Sequence, residues 1–190
     1  MTRYFLLRGW HGSVPGDWQS LWPGLHQQQA CFTQVDQDDW AWPKRGDWMM
    51  NLDEALLAEP ALAEEPAVLV AHGLACHLVA AWAAHTQHTR LVKGAWLVAP
   101  PDLDGEPNQV SMAPPLHGWR SVIRQPLPCP SVVLASSNDA HASLTRSRAL
   151  AADWDAAFEN LGDADQVNEA SGHGPWPEGW ARLKGWASAL

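Results

Sequence analysis

The chain has 190 residues, a formal net charge of −9 and 46% hydrophobic residues. That length suits one compact domain able to bury its own core, and the acidic balance with no basic stripe excludes a nucleic-acid or anionic-membrane partner. Cys31, Cys76 and Cys129 are odd in number and widely spaced, so they form neither a metal or redox motif nor a disulfide framework.

The first apolar run, Tyr4 to Leu7, is a strand candidate ended by Gly9-Trp-His-Gly-Ser13. Trp18, Leu21, Trp22 and Leu25 recur at helical spacing, which predicts an amphipathic helix over 17–25. Cys31 to Val35 is a second strand, and the polar, punctuated run 36–48 is a loop before a helix from Asn51 to Leu57. Pro66 precedes the central strand, Val68 to Ala71, and a helix over 76–88 follows. Lys93 to Val98 is a fourth strand. A Pro-rich irregular segment, 103–130, with a helical piece near Gly118, is longer than ordinary connections and is expected to cap or border a site. Ser131 to Ala135 is a fifth strand, 144–154 a helix, Ala156 to Leu161 a sixth strand, 162–177 a loop and 178–190 a closing helix.

Apolar strands alternating with helices imply a largely parallel sheet covered on both faces, with the loops that follow the strands gathered along one edge. Gly9–Ser13, Gly73, Asp139 and the 162–176 loop all follow strands, so they are expected to converge. The 13 tryptophans stand against one Tyr and three Phe. They serve either as core or as the lining of a cleft or partner surface, since large aromatics suit both; Trp10, Trp18, Trp40, Trp42, Trp48 and Trp176 lie in polar, loop-like contexts.

The organising stretch is Val68 to Ala84. A buried-strand pattern breaks at Ala71-His-Gly-Leu-Ala75 and resumes as a small-residue helix, the context of a nucleophile elbow. Read with Gly9-Trp-His-Gly-Ser13, Trp18-Gln-Ser-Leu-Trp22, Gln37-Asp-Asp-Trp40, Ser136-Ser-Asn-Asp139 and Ser171-Gly-His-Gly-Pro-Trp-Pro-Glu-Gly179, the chain resembles the small bacterial serine hydrolases of the YdeN type, a minimal α/β-hydrolase family. The resemblance spans nearly the whole chain. It implies one α/β domain over 1–190, a six-stranded, mostly parallel sheet in the order 2-1-3-4-5-6, and a Ser–Asp–His triad for hydrolysis of a small ester or amide. Carried over residue by residue, the nucleophile position falls on Gly73, the acid on Asp139 and the base on Gln166. Oxyanion donors are expected from Leu74 and from the first loop, at Trp10.

Glycine has no atom with which to attack a carbonyl, and a glutamine amide does not exchange protons near neutral pH. The expectation is therefore a pseudo-hydrolase that binds a small molecule or a protein partner in a Trp-rich cleft. The alternative is altered hydrolysis through Cys76, His173 or an activated water. His11, His72, Cys76, His173 and Trp176 are candidate pocket residues. Each also has a plain reading: Cys76 as core packing, His72 as structural, and His173 as a solvated loop residue. No pair among His11, His72, His77 and His173 has metal-ligand spacing, so neither metal nor cofactor is expected. The odd, unpaired cysteines and the absence of a signal or membrane-spanning run point to the cytoplasm.

Overall fold

A computed structural model describes residues 1–190. Six strands, β1 (Arg3–Leu7), β2 (Cys31–Gln34), β3 (Ala67–His72), β4 (Val92–Val98), β5 (Ser131–Ala135) and β6 (Ala157–Asn160), form one sheet in the order β2-β1-β3-β4-β5-β6. Every neighbouring pair is parallel, so the sheet is wholly rather than mostly parallel. The five α-helices are α1 (Trp18–Leu25), α2 (Arg45–Leu57), α3 (Ala75–His85), α4 (Leu144–Asp153) and α5 (Pro177–Ala187).

The two-residue period of a strand sends alternate side chains to opposite faces, and here it makes two cores. Phe5, Leu7, Leu69, Ala71, Ala95, Leu97 and Val133 join Trp48, Leu52 and Leu56 of α2, Leu78 and Trp82 of α3 and Leu150 of α4 on one face. Tyr4, Leu6, Val68, Val70, Trp96, Val98 and Leu134 join Trp18 and Trp22 of α1 and Trp180 and Leu183 of α5 on the other. β3 and β4 lie mid-sheet and are buried almost throughout. That is why they read as continuous apolar runs without alternation.

Two expectations change. Helix α2 begins at Arg45 rather than Asn51, because Trp48 is fully buried and packs edge-on against Trp40 and Trp119; tertiary packing extends a helix whose first turn is polar. The Trp-rich cleft is also corrected. Trp18, Trp22, Trp48, Trp96, Trp119 and Trp154 are fully buried, and Trp176 and Trp180 are nearly so. Trp18, Trp22, Trp96 and Trp176 pack ring against ring on this second face, Trp22 stacked on Trp176 and the other pairs tilted or edge-on. Most of the tryptophans are core, and each buried indole N–H that finds a main-chain carbonyl, as Trp18 does on Val167 and Trp22 on Pro175, ties a loop to that core.

Candidate active site

Parallel strands all present their carboxyl ends to one edge, so the loops after β1, β3, β4, β5 and β6 meet there. They enclose a cavity of about 450 Å³ lined by Gly9, Trp10, His11, Asp17, His72, Gly73, Leu74, Asp139, His141, Gln166 and Asn168, among others. Pro101, Gln109 and Val110, from the long irregular segment after β4, close one side.

Gly73 is the hinge of the turn between β3 and α3. Its φ of +60° lies in the left-handed region, where a glycine costs least. Its N–H reaches the Val98 carbonyl at 2.9 Å, and its own carbonyl takes the Cys76 N–H at 3.0 Å. A Cβ built on Gly73 would meet no heavy atom within 4 Å, so the space above it is open. Gly9 is the opposite case: a Cβ there would stand 2.7 Å from the His72 carbonyl oxygen, so only glycine lets the first loop pass this close to the end of β3. Trp10 and Leu74 both line the cavity, and neither main-chain N–H is taken by a protein acceptor. With the start of α3 directed the same way, these two N–H groups suit a carbonyl or oxyanion oxygen.

The loop after β5 is held by short hydrogen bonds. Ser136 Oγ donates to Asn138 Oδ1 at 2.8 Å, and Asn138 Oδ1 also accepts the Asp165 N–H at 2.7 Å. Ser136 Oγ accepts the Ala164 N–H at 3.0 Å. The loop after β5 is thereby fastened to the loop after β6, which puts Asp139 and Gln166 in one cavity. Asp139 Oδ1 accepts the His141 N–H at 2.9 Å. Burial, reinforced by the Asp165 charge, raises the Asp139 carboxyl to about 6 despite that hydrogen bond.

Gln166 sits between two residues of positive φ, Asp165 at 50° and Val167 at 54°. A β-branched residue there is strained, and the loop is held by its contacts: the Val167 carbonyl accepts Trp18 Nε1–H at 2.8 Å, and the Gln166 carbonyl accepts His72 Nε2–H at 2.7 Å. The Gln166 side-chain nitrogen lies 2.9 Å from Nδ1 and 3.0 Å from Nε2 of His141, within reach of whichever nitrogen is unprotonated.

The remaining candidates divide. His11 lines the cavity, stacks on Trp10 and has φ of 67°. His72 lines it too, but its half-buried ring clamps the Gln166 carbonyl and is pushed below the ordinary imidazole range by desolvation. Cys76 lies outside the cavity wall, in the core, with Sγ 3.4 Å from the Val98 carbonyl; burial drives its thiol far up, away from thiolate. His173 bonds Ser171 Oγ at 2.9 Å and leans edge-on against Trp176, and neither residue lines the cavity. Trp176 is instead core.

The sequence alone marks neither His141 nor Asp17 as a cavity residue. His141 lies two positions past Asp139 in the same loop, and that adjacency was the available signal. Asp17 reads only as the start of α1; its carboxylate accepts main-chain N–H groups of Val14 and Glu169, which fastens the first loop to the last. No group of acidic, histidine or cysteine side chains is arranged to hold a metal ion, and no helix is long and apolar enough to cross a membrane.

A parallel, doubly covered sheet with a strand–turn–helix elbow opening on a carboxyl-edge cavity defines the α/β-hydrolase class. The family follows from the chain itself: the serine hydrolase family pattern matches residues 4–185, and the protein belongs to that family. A YdeN-like hydrolase from Pectobacterium atrosepticum superposes with a TM-score of 0.79 at 24% identity, over 96% of this chain and 89% of its own. The ydeN gene product of B. subtilis superposes with a TM-score of 0.73 at 18% identity, over 99% and 100%. Esterase 2 of Thermogutta terrifontis does so at 0.66 and 15%, over 96% and 81%. At these identities the likeness carries the fold alone. No curated protein sequence matches the chain.

Proposed function

We propose that this chain is a pseudo-hydrolase with respect to serine chemistry: a member of the family that binds a small carbonyl-bearing ligand in the carboxyl-edge cavity without forming a covalent acyl intermediate. One observation carries the reading. No serine, threonine, cysteine, lysine or tyrosine lines the cavity, so it offers no hydroxyl, thiol or amine to attack an acyl carbon. Gly73 stands at the elbow where the family's nucleophile would be, and Gln166 stands where its base would be.

What remains suits binding. Two unengaged N–H groups, from Trp10 and Leu74, are available to donate to a carbonyl oxygen. Asp17 and Asp139 line the cavity, and no lysine or arginine does, so neutral or cationic ligands are favoured over anions. A protein segment inserting a carbonyl would meet the same donors, and a partner that co-purifies through this cavity is the other form of the same reading.

The test is incubation with a fluorophosphonate probe beside a thermal-shift screen of neutral acyl compounds. The expected result is no covalent labelling, and a rise in melting temperature with neutral but not anionic ligands. Saturable labelling of the wild-type chain overturns the proposal. The alternative of altered hydrolysis narrows to an activated water, because Cys76 and His173 are both off the cavity.

A further inference from the structure

Asp139 stands without the partner that its position implies. In a Ser–Asp–His arrangement the carboxylate holds the base, but the base position here is Gln166, and no hydrogen bond joins the two side chains. The Gln166 amide nitrogen turns to His141 instead, 2.9 Å and 3.0 Å from its ring nitrogens. Asp139 Oδ1 accepts the His141 main-chain N–H at 2.9 Å, while Oδ2 accepts nothing from the protein and is not sealed from solvent.

That open oxygen sets Asp139 apart from the other carboxylate on the wall. Asp17 is almost wholly buried and both of its oxygens are spent, Oδ2 on the Val14 N–H at 3.0 Å and Oδ1 on the Glu169 N–H at 2.6 Å. No lysine or arginine lines the cavity to pair with Asp139. The residue is half-buried on the cavity wall, so Oδ2 accepts from whatever fills that space. The elbow side carries the opposite chemistry, in the free N–H groups of Trp10 and Leu74. Gly9 lets these two approach, since a Cβ built on it would lie 3.3 Å from the Leu74 nitrogen. Main-chain donors and one unpartnered carboxylate oxygen thus share a cavity of about 450 Å³, in which a single small molecule reaches both.

We propose that Asp139 is a specificity-determining residue, which selects acyl compounds with an N–H beside the carbonyl, that is carboxamides, over esters. The proposal rests on the reading of this cavity as a carbonyl site. The ligand oxygen lies on the Trp10 and Leu74 N–H groups, and the ligand N–H donates to Asp139 Oδ2. An ester presents a second acceptor there, which strips water from the carboxylate and returns no hydrogen bond. The carboxyl, held at about 6 by burial, is ionised at pH 7.5 and can only accept. A hydrogen bond to an ionised acceptor is roughly twice as strong as one between neutral groups.

Calorimetric titration of the intact chain at pH 7.5 with benzamide, N,N-dimethylbenzamide and methyl benzoate is the test. All three share the ring and the carbonyl, and only benzamide carries N–H. The wild type is expected to bind benzamide about tenfold or more tightly than either of the others. In Asp139→Asn the side-chain oxygen keeps the His141 N–H and the NH2 faces the cavity, so a donor replaces the acceptor. Benzamide should then lose about tenfold or more in affinity and methyl benzoate none, at a melting temperature no lower than that of the wild type. Loss of a merely structural contact would weaken all three ligands together. Equal affinities in the wild type, or a benzamide preference kept by a folded Asp139→Asn variant, overturn the assignment and leave the carbonyl-binding reading in place. If that variant does not fold, the wild-type comparison decides alone. Failure of all three compounds to bind overturns both.

Discussion

His72 Nε2 and the Gln166 main-chain carbonyl are 2.7 Å apart, which joins the end of β3 to the loop after β6 across 94 residues of sequence. A carbonyl only accepts, so this contact places the ring proton on Nε2. Gln166 is thereby fixed at its backbone while its side chain is free to meet His141. His72 acts as a clamp on the site rather than as its reagent.

The elbow has room for a nucleophile. Gly73→Ser adds a side chain into open space, at a conformational cost of about 1–2 kcal/mol for an L-residue in the left-handed region. Combined with Gln166→His, it is expected to gain fluorophosphonate labelling that the wild type lacks, and p-nitrophenyl acetate hydrolysis at least about 10²-fold faster. A folded double variant without either gain would show that the donors no longer face position 73.

Asp139 is held near pKa 6, above an ordinary carboxyl, chiefly by burial. The folded state then binds this proton more tightly than the unfolded one, so the contribution to stability is complete below about pH 4 and is lost as pH rises through 6. Asp139→Asn removes the buried charge. It should stabilise the protein by about 1–2 kcal/mol at pH 8, after allowance for partial exposure, and by little at pH 4. Urea unfolding at the two pH values measures the difference; an equal effect at both refutes the linkage.

His77 has the opposite sign. It is buried against Trp154 with Nε2–H on the Pro101 carbonyl at 2.7 Å, and burial lowers its imidazole to about 4. The unfolded chain binds this proton more readily, so the stabilising contribution is present above pH 6.5 and is lost as pH falls towards 4. About 2–3 kcal/mol should disappear over that range. His77→Gln is expected to flatten the pH dependence, read by chemical unfolding from pH 7.5 to 4.

Trp18 couples the core to the site. It is fully buried, and its indole N–H holds the Val167 carbonyl beside Gln166. Trp18→Phe leaves that carbonyl unpaired and should cost about 1–3 kcal/mol. Because Val167 has positive φ, the loop should also relax, with raised hydrogen exchange over residues 164–169. Destabilisation without a local change in exchange would mean that the contact serves the core alone.

Gly9 is a steric test of the first loop. Gly9→Ala would drive a methyl group onto the His72 carbonyl, a main-chain atom with little freedom to move. The expected cost is about 1–3 kcal/mol, with weakened ligand binding because the Trp10 N–H shifts with the loop. Unchanged melting and binding would count against Trp10 as a donor.

The sequence by itself determined the layout. Apolar runs at Val68–Ala71 and Ala95–Val98 mark central parallel strands, and the resemblance to the YdeN-type hydrolases puts Gly73, Asp139 and Gln166 after β3, β5 and β6. The apolar runs are local properties, set by strand periodicity and burial. Packing and long-range contact decided the rest. The loop-like setting of Trp18, Trp48 and Trp176 suggested a cleft, but indoles fill whatever buried volume the helices and sheet leave, and that volume exists only once the chain has folded. His141, next but one to Asp139, carries no sequence mark of its own. Its place against Gln166 depends on the Ser136–Asn138 hydrogen bonds that fasten two distant loops, and only the tertiary structure brings those partners together.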